Sequence, residues 1–496
     1  MRFISTRGGD VVSTSSEAIV KGLASDGGLF VPEYFPDLKD KLASMLEMSY
    51  PEIATTVIGS FLEEYDKENL LTACKEAYAK FDDENTVPVV KIKDGVYVLE
   101  LFHGPTLAFK DVALTLLPYL LRTGADYLGI KDQILILVAT SGDTGKAALE
   151  GFKNAKGIKI NVFYPEEGVS DMQKLQMRTQ EGENVNVVSV KGNFDDCQTA
   201  VKKIFSDKEY GAKLKEKGIM LSSANSINFG RLVPQISYYF SAYCDLVNAN
   251  QIKMGDEIDF CVPTGNFGNI LAGYYAKKMG LPVRKLICAS NKNNVLTEFF
   301  TDGIYDSNRE FFKTMSPSMD ILISSNLERL VYEFSKRDAG VTKSRMNELK
   351  LTSRYSLTKQ ELNAINEEFI GGFCDEDECL ETIADFFDET GYVLDTHTGV
   401  AAFVASGFIE DFNSKTPMVI LSTASPYKFP QNVLKAITGK MVADAFTASA
   451  KLEAETAYPI PEQITGLKTK EVRFSKVVDK NDTMQAVEDF IKEFQV

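Results

Sequence analysis

The stretch His103-Gly104-Pro105-Thr106-Leu107-Ala108-Phe109-Lys110-Asp111 sets one amine among apolar neighbours just after a turn-breaking pair. Gly104-Pro105 cannot continue a regular element. The apolar spacing that follows predicts a helix over 106–117 whose core face holds Leu107, Phe109 or Lys110, Ala113, Leu114 and Leu117. A lysine in the first turn or so of such a helix either snorkels to water or is desolvated. Desolvation favours the neutral, nucleophilic form that Schiff-base chemistry requires. Taken alone, the stretch fits a solvated lysine on an amphipathic helix better, because most lysines are solvated.

Other segments carry complementary chemistry. Phe260-Cys261-Val262-Pro263-Thr264-Gly265-Asn266-Phe267-Gly268-Asn269-Ile270 runs from a strand over 258–262 into a helix. Its two glycines let several backbone amides converge beside a helix dipole, the geometry of a phosphate cup. The spacing is G-x-x-G, which is neither a dinucleotide fingerprint nor a triphosphate loop. Thr140-Ser141-Gly142-Asp143-Thr144-Gly145 opens another helix with hydroxyls and amides; it can hold an anion or simply cap the helix. Ser222 to Arg231 clusters polar side chains before an apolar helix over 232–246, and Arg231 offers a planar fork suited to phosphate or a solvent-facing charge. Met418-Val419-Ile420-Leu421-Ser422-Thr423 is a buried strand ending in hydroxyls, where a ring nitrogen can find a neutral donor. The two histidines, His103 and His397, lie in loops beside these segments, and either could touch substrate or be structural.

Behind these residues stand the elements that must position them. The 496 residues imply two or three domains, and 44% apolar with 25% charged residues is ordinary for a soluble chain. A net charge of −16 argues against a nucleic-acid or anionic-membrane surface, so basic contacts to an anionic ligand must be few and local. Seven cysteines read as reduced buried thiols, and the spacing of Cys374 and Cys379 does not make a zinc site. No run reaches the ~18 apolar residues of a membrane span, and the start has no signal-peptide core; a cytoplasmic location is expected.

Residues 1–93 read as an N-terminal subdomain of short helices and loops. Strands over 134–139, 158–163 and 185–190 alternate with helices over 144–153, 170–180 and 194–206, which implies a small parallel-sheet domain over 133–217. Residues 94–132 and 218–496 are expected to form a large α/β domain that carries Lys110 and the phosphate loop. Within it, 308–370 reads as a charged helical insertion facing solvent. Acidic Asp375-Glu376-Asp377-Glu378 suits a helix start.

A lysine in a pocket, an amide-lined cup and hydroxyls at strand ends are the parts needed to hold pyridoxal phosphate. These segments, together with Ser5-Thr6-Arg7-Gly8-Gly9, Asp26-Gly27-Gly28-Leu29-Phe30-Val31-Pro32 and Asp395-Thr396-His397-Thr398-Gly399, resemble the threonine synthase family in its longer microbial and fungal form, in the expected order over almost the whole chain. The resemblance implies the tryptophan synthase β-like pyridoxal-phosphate fold (fold type II), with two α/β domains and an added N-terminal subdomain. It implies a lyase that converts the small molecule O-phospho-L-homoserine and water to L-threonine and phosphate, with no obligate protein partner.

On the same resemblance, Lys110 would carry the cofactor as a Schiff base. Gly265, Asn266, Phe267, Gly268 and Asn269 would cradle its phosphate, and Thr423 would face its ring nitrogen. Ser141, Asp143 and Thr144 would hold the substrate carboxylate or the ring edge, with Ser226, Asn228 and Arg231 near the substrate phosphate. Two positions depart from the family pattern: Thr396 stands where proline is expected, and Ser425 where histidine is usual. A serine or threonine dehydratase, or a non-catalytic cofactor-binding homologue, would share the lysine and the cup. A dinucleotide-binding dehydrogenase lacks its fingerprint here.

Overall fold

A computed structural model describes residues 1–140, 142–167 and 169–492. Two parallel-rich sheets dominate it. The large sheet runs Phe369–Phe373, Val283–Ser290, Ile258–Pro263, Met418–Ser422, Val96–Glu100, Val89–Lys93, parallel throughout except for its last pair. Ile258–Pro263 and Met418–Ser422 are buried at every position, as expected of strands covered by helices on both faces. The small sheet runs Val477–Asp479, Val185–Lys191, Ile158–Pro165, Gln133–Ala139, Ile219–Ser222, all parallel.

The expected alternation over 133–217 is present, with helices at Asp143–Phe152, Asp171–Arg178 and Phe194–Ser206. The domain limits expected from sequence need correction at three places. Val89–Lys93 belongs to the large sheet, not to an N-terminal subdomain ending at 93. Ile219–Ser222 pairs with Gln133–Ala139, so the small unit extends past 217. Val477–Asp479 pairs with Val185–Lys191, and the helix Thr483–Lys492 packs its Ala486, Val487 and Phe490 into the same small core. The chain thus returns to the small unit at its end. Strand pairing between segments so far apart leaves no local trace in composition.

The expectation for 308–370 also fails in part. Helices Leu327–Phe334, Ala339–Thr352 and Lys359–Glu368 are there, but Arg329 is fully buried, donating to the carbonyls of Phe30 (3.0 and 2.9 Å) and Ile227 (2.7 Å). Its charge ties the N-terminal region to the 225–231 loop and does not solvate an outer face. The Phe369–Phe373 strand that follows closes one edge of the large sheet.

The N-terminal region forms a three-stranded antiparallel sheet with helices Ser15–Lys21, Tyr50–Phe61 and Lys67–Tyr78. It packs on the long apolar helix Phe229–Asn248: Phe229 sits between Phe3 (ring centroids 4.6 Å apart) and Phe61 (5.6 Å). That helix begins at Phe229, three residues earlier than its apolar pattern suggests, because Asn228 caps it by accepting from the Gly230 N–H at 2.8 Å.

His103 is structural. Its ring nitrogens lie 2.7 Å from Asp82 Oδ1 and 2.8 Å from Glu100 Oε2, which leaves neither for substrate. Burial opposes its charge, but the two carboxylates outweigh burial and push the imidazole up to about 9. A raised folded-state value stabilises fully below the ordinary value near 6.5 and is lost as pH climbs from there through about 9. Replacing His103 with Gln should therefore cost about 2 kcal/mol at pH 6, with Asp82 exposure limiting the size, and the gap should narrow by pH 9.5. Thermal melts of both proteins at the two pH values measure this. A gap independent of pH would show that the charge contributes nothing.

Candidate active site

Four of the segments singled out in sequence leave the carboxyl ends of strands, where ligands bind in open α/β sheets. Residues 264–269 follow Ile258–Pro263, Thr423 follows Met418–Ser422, the Lys110 segment follows Val96–Glu100, and Asp143 follows Gln133–Ala139. The last comes from the small sheet and the others from the large one.

Lys110 begins the helix Lys110–Leu114, and not a helix starting at 106 as the apolar spacing suggests. Residues 106–109 are diverted by tertiary bonds. Leu107 adopts φ +60°, Ala108 bridges Ala424, and the Phe109 N–H donates to the Thr423 carbonyl at 2.9 Å. Asp111 folds back to accept from Thr106 N (2.8 Å) and Thr106 Oγ1 (2.6 Å), and its Cβ would lie 2.4 Å from any Cβ at position 104, so Gly104 is required there. The Lys110 amine lies inside, with its side chain 11% exposed. Burial pushes it down to about 8; Lys428 and Arg231 add to this and Asp143 opposes it. A substantial neutral fraction at mild pH is what a nucleophilic amine needs.

Two polar groups stand beside that amine. Ser318 Oγ accepts from it at 3.3 Å, and Asp143 Oδ2 stands 4.0 Å away. Asp143 in turn holds Lys428 Nζ at 2.8 Å and accepts from Gln173 Nε2 (3.0 Å) and Ser318 Oγ (3.0 Å). Burial alone would raise the Asp143 carboxyl, but Lys428 and Lys110 hold it well below the usual range. An anionic side chain repels a carboxylate, so of the two roles expected of Asp143, at the substrate carboxylate or at the ring edge, its charge favours the second. Thr144, second in the helix Asp143–Phe152, keeps a partly exposed hydroxyl at that helix start. Ser141 lies outside the described residues.

The glycine-bearing bend has the features of an anion cup. Among the described residues, no acceptor takes the backbone N–H groups of Gly265, Asn266, Phe267, Gly268 or Asn269, which precede or open the helix Gly268–Lys278. Asn269 Oδ1 accepts from Tyr238 Oη (2.5 Å) and Tyr239 Oη (2.9 Å), while its buried Nδ2 has no protein partner. Phe267 takes φ +62° and sends its ring between Phe300 and Phe369, so only its backbone faces the bend. Asn266 is exposed, and its carbonyl accepts from Asn326 Nδ2 at 2.9 Å. Thr423 is 5% exposed, and among the described residues its hydroxyl has no partner.

The bend and the amine meet at one residue. A Cβ on Gly265 would lie 2.7 Å from the Ser318 carbonyl oxygen and 3.2 Å from Met319 Cα. Backbone cannot yield as a side-chain tip would, so Gly265→Ala should displace the bend and weaken pyridoxal-phosphate affinity about tenfold or more. A fluorescence titration with the cofactor tests this, and an unchanged affinity would remove the bend from the cofactor site.

Arg231 is 3% exposed. One terminal nitrogen donates to the Ala224 carbonyl at 2.9 Å, and Nε is buried with no partner among the described residues. Burial alone accounts for its drop to about 10, with no carboxylate opposing it. Asn228, beside it, is committed elsewhere: besides its capping bond, Nδ2 donates to the carbonyls of Ile19 (2.9 Å) and Ser223 (3.0 Å). It anchors the loop. Ser226, in the turn before it, is half-buried.

Three participants were not foreseen. Lys428, in the short turn Pro426–Lys428, is a lysine flanked by Tyr427 and Phe429, a pattern that could have marked it as buried. Gln173 and Ser318 had no local signal, and Ser318 falls inside what read as a solvated insertion. Both ring nitrogens of His397 are engaged by protein groups: Nδ1 pairs with Asp395 Oδ1 at 2.9 Å, and Nε2 accepts from the Ser318 N–H at 3.1 Å.

A desolvated lysine facing an amide-lined cup at the carboxyl ends of a parallel-rich sheet defines a pyridoxal-phosphate enzyme, and residues 85–424 match the model described as "Pyridoxal-phosphate dependent enzyme". Residues 2–78 match "Threonine synthase N terminus" and 398–491 match "Threonine synthase, C-terminal". Threonine synthase of Saccharomyces cerevisiae is 36% identical over 503 residues, covering 95% of this chain and 94% of that protein. The pyridoxal-phosphate-bound threonine synthase structure from Brucella melitensis aligns over 99% of both chains with TM-score 0.88 and 37% identity. The chain belongs to the threonine synthase family. Human threonine synthase-like 1 is 43% identical over 88% of this chain, which spans only 59% of that relative's length.

Proposed function

We propose that this protein is a threonine synthase, converting O-phospho-L-homoserine and water to L-threonine and phosphate. The observation that carries this reading is a second anion site. Arg231 is buried, has no counter-ion among the described residues and lies close enough to influence the Lys110 charge, while the 265–269 bend supplies a separate cup. One site suits the cofactor phosphate and the other a phosphorylated substrate.

Pyridoxal phosphate, when bound, supplies an electron sink for negative charge at the substrate carbons. Lys110 would hold the aldehyde end, and its free amine, lowered to about 8 by burial, would move protons. The amides of 265–269 and Asn269 Nδ2 would hold the anionic tail, and Thr423 would offer a neutral hydroxyl to the ring nitrogen. Arg231 orients the leaving phosphate, with Ser226 beside it and Asn228 holding the loop. Thr144 and the helix start at Asp143 receive the substrate carboxylate. We place the enzyme in the cytoplasm, where its seven buried free thiols stay reduced.

A dehydratase would have no use for a second phosphate site. Given phosphohomoserine, the loaded protein should release phosphate and threonine in equal amounts. Ammonia and keto acid from serine or threonine at comparable rates, without phosphate release, would reassign it.

A further inference from the structure

We propose that Ser318 is a spacer that keeps the Lys110 amine from collapsing onto Asp143 and so preserves its readiness to react. The inference rests on the reading of Lys110 as the reacting amine. Asp143 is already neutralised on Oδ1 by Lys428 in direct contact at 2.8 Å. Its other oxygen, Oδ2, receives the Ser318 hydroxyl at 3.0 Å, and the same hydroxyl oxygen accepts from Lys110 at 3.3 Å. A hydroxyl can donate one way and accept the other, so it fits between an amine and a carboxylate and holds them 4.0 Å apart.

The spacer is fixed by its backbone. The Ser318 N–H donates to His397 Nε2 at 3.1 Å, an acceptor role that places the ring proton on Nδ1, toward Asp395. The Met319 N–H closes a turn onto the Ser316 carbonyl at 3.0 Å. Asp320 anchors the far side, accepting from Asn291 (2.8 Å) and Asn293 (3.0 Å). The Ser318 carbonyl rests in the space left by Gly265, so the anion cup and the spacer share one wall.

Without the hydroxyl, lysine and aspartate can close from 4.0 Å to contact near 2.8 Å. That strengthens their attraction by about 40% and adds a charge-assisted hydrogen bond, both favouring ammonium. In cofactor-free full-length protein, Lys110 titration can be followed by acetic anhydride labelling against pH and peptide mass mapping. Ser318→Ala should raise the Lys110 value by about one unit or more and slow cofactor uptake at pH 7 several-fold, whereas Ser318→Thr, which keeps the hydroxyl, should titrate as the parent does. A folded Ser318→Ala protein whose Lys110 titrates as the parent, or lower, overturns the proposal. So does a lowered melting temperature with unchanged titration, the result expected of a purely structural serine. Ser318→Cys, a weak donor of similar size, carries the same test if the alanine variant does not fold. Labelling needs no turnover: a parent protein inactive on phosphohomoserine would refute the proposed reaction, while the titration would still decide the role of Ser318.

Discussion

Lys110→Ala is expected to lower turnover by about 10⁴-fold or more and to leave no covalently tagged residue when the cofactor-loaded protein is reduced with borohydride. In the parent protein, reduction should place the cofactor on the peptide containing Lys110. The physical reason is the desolvation that holds this amine near 8 while ordinary lysines stay charged. Cofactor should still bind, more weakly, because the amides of 265–269 and Asn269 Nδ2 are untouched. Other buried amines do not substitute: Lys428 is spent on Asp143 and on the Thr106 carbonyl at 3.1 Å. A Lys110→Ala protein that keeps the full lysine-linked chromophore, or carries the tag elsewhere, would break the assignment.

The second large effect is expected at Arg231. Arg231→Ala should raise KM for phosphohomoserine about 10²-fold, the worth of a desolvated charge-assisted pair, while pyridoxal-phosphate affinity stays within a few-fold. Inorganic phosphate should weaken as a competitive inhibitor by a similar factor. Stability should move the other way. A buried guanidinium that has neither a partner for Nε nor a counter-ion among the described residues is a cost to the fold, so the alanine variant should melt at or above the parent temperature. Arg231→Lys should recover only part of the affinity, since an ammonium lacks the planar fork. Steady-state kinetics with thermal melts check all three. An unchanged KM would remove Arg231 from the substrate site.

Legibility differed from segment to segment for physical reasons. The strands at Ile258–Pro263 and Met418–Ser422 were plain because burial on both faces demands uninterrupted apolar runs. The helix Phe194–Ser206 was plain because its apolar period and its Asn193 cap agree. The helix start at Lys110 was misplaced because bonds from Ala108 and Phe109 to residues 423–424, far away in sequence, override local spacing. The buried guanidinium of Arg329 looked like solvated charge because its partners distant in sequence are the backbone carbonyls of Phe30 and Ile227, which carry no residue identity, and its one side-chain partner is the neutral Asn326.

The amino-acid sequence by itself determined the family, the two α/β units and the residue types able to grip an aldehyde and an anion, because strand–helix periodicity and strand-end chemistry are local properties. Tertiary structure alone decided which charges meet. It set Asp143 from the small sheet against Lys428, which follows a large-sheet strand, and against Ser318 from the 308–370 insertion, left Arg231 without a counter-ion among the described residues, and tied both ring nitrogens of His397 to Asp395 and Ser318. Those outcomes depend on distances of a few ångströms between groups hundreds of residues apart, and burial multiplies the strength of each such contact, so no local pattern can specify them.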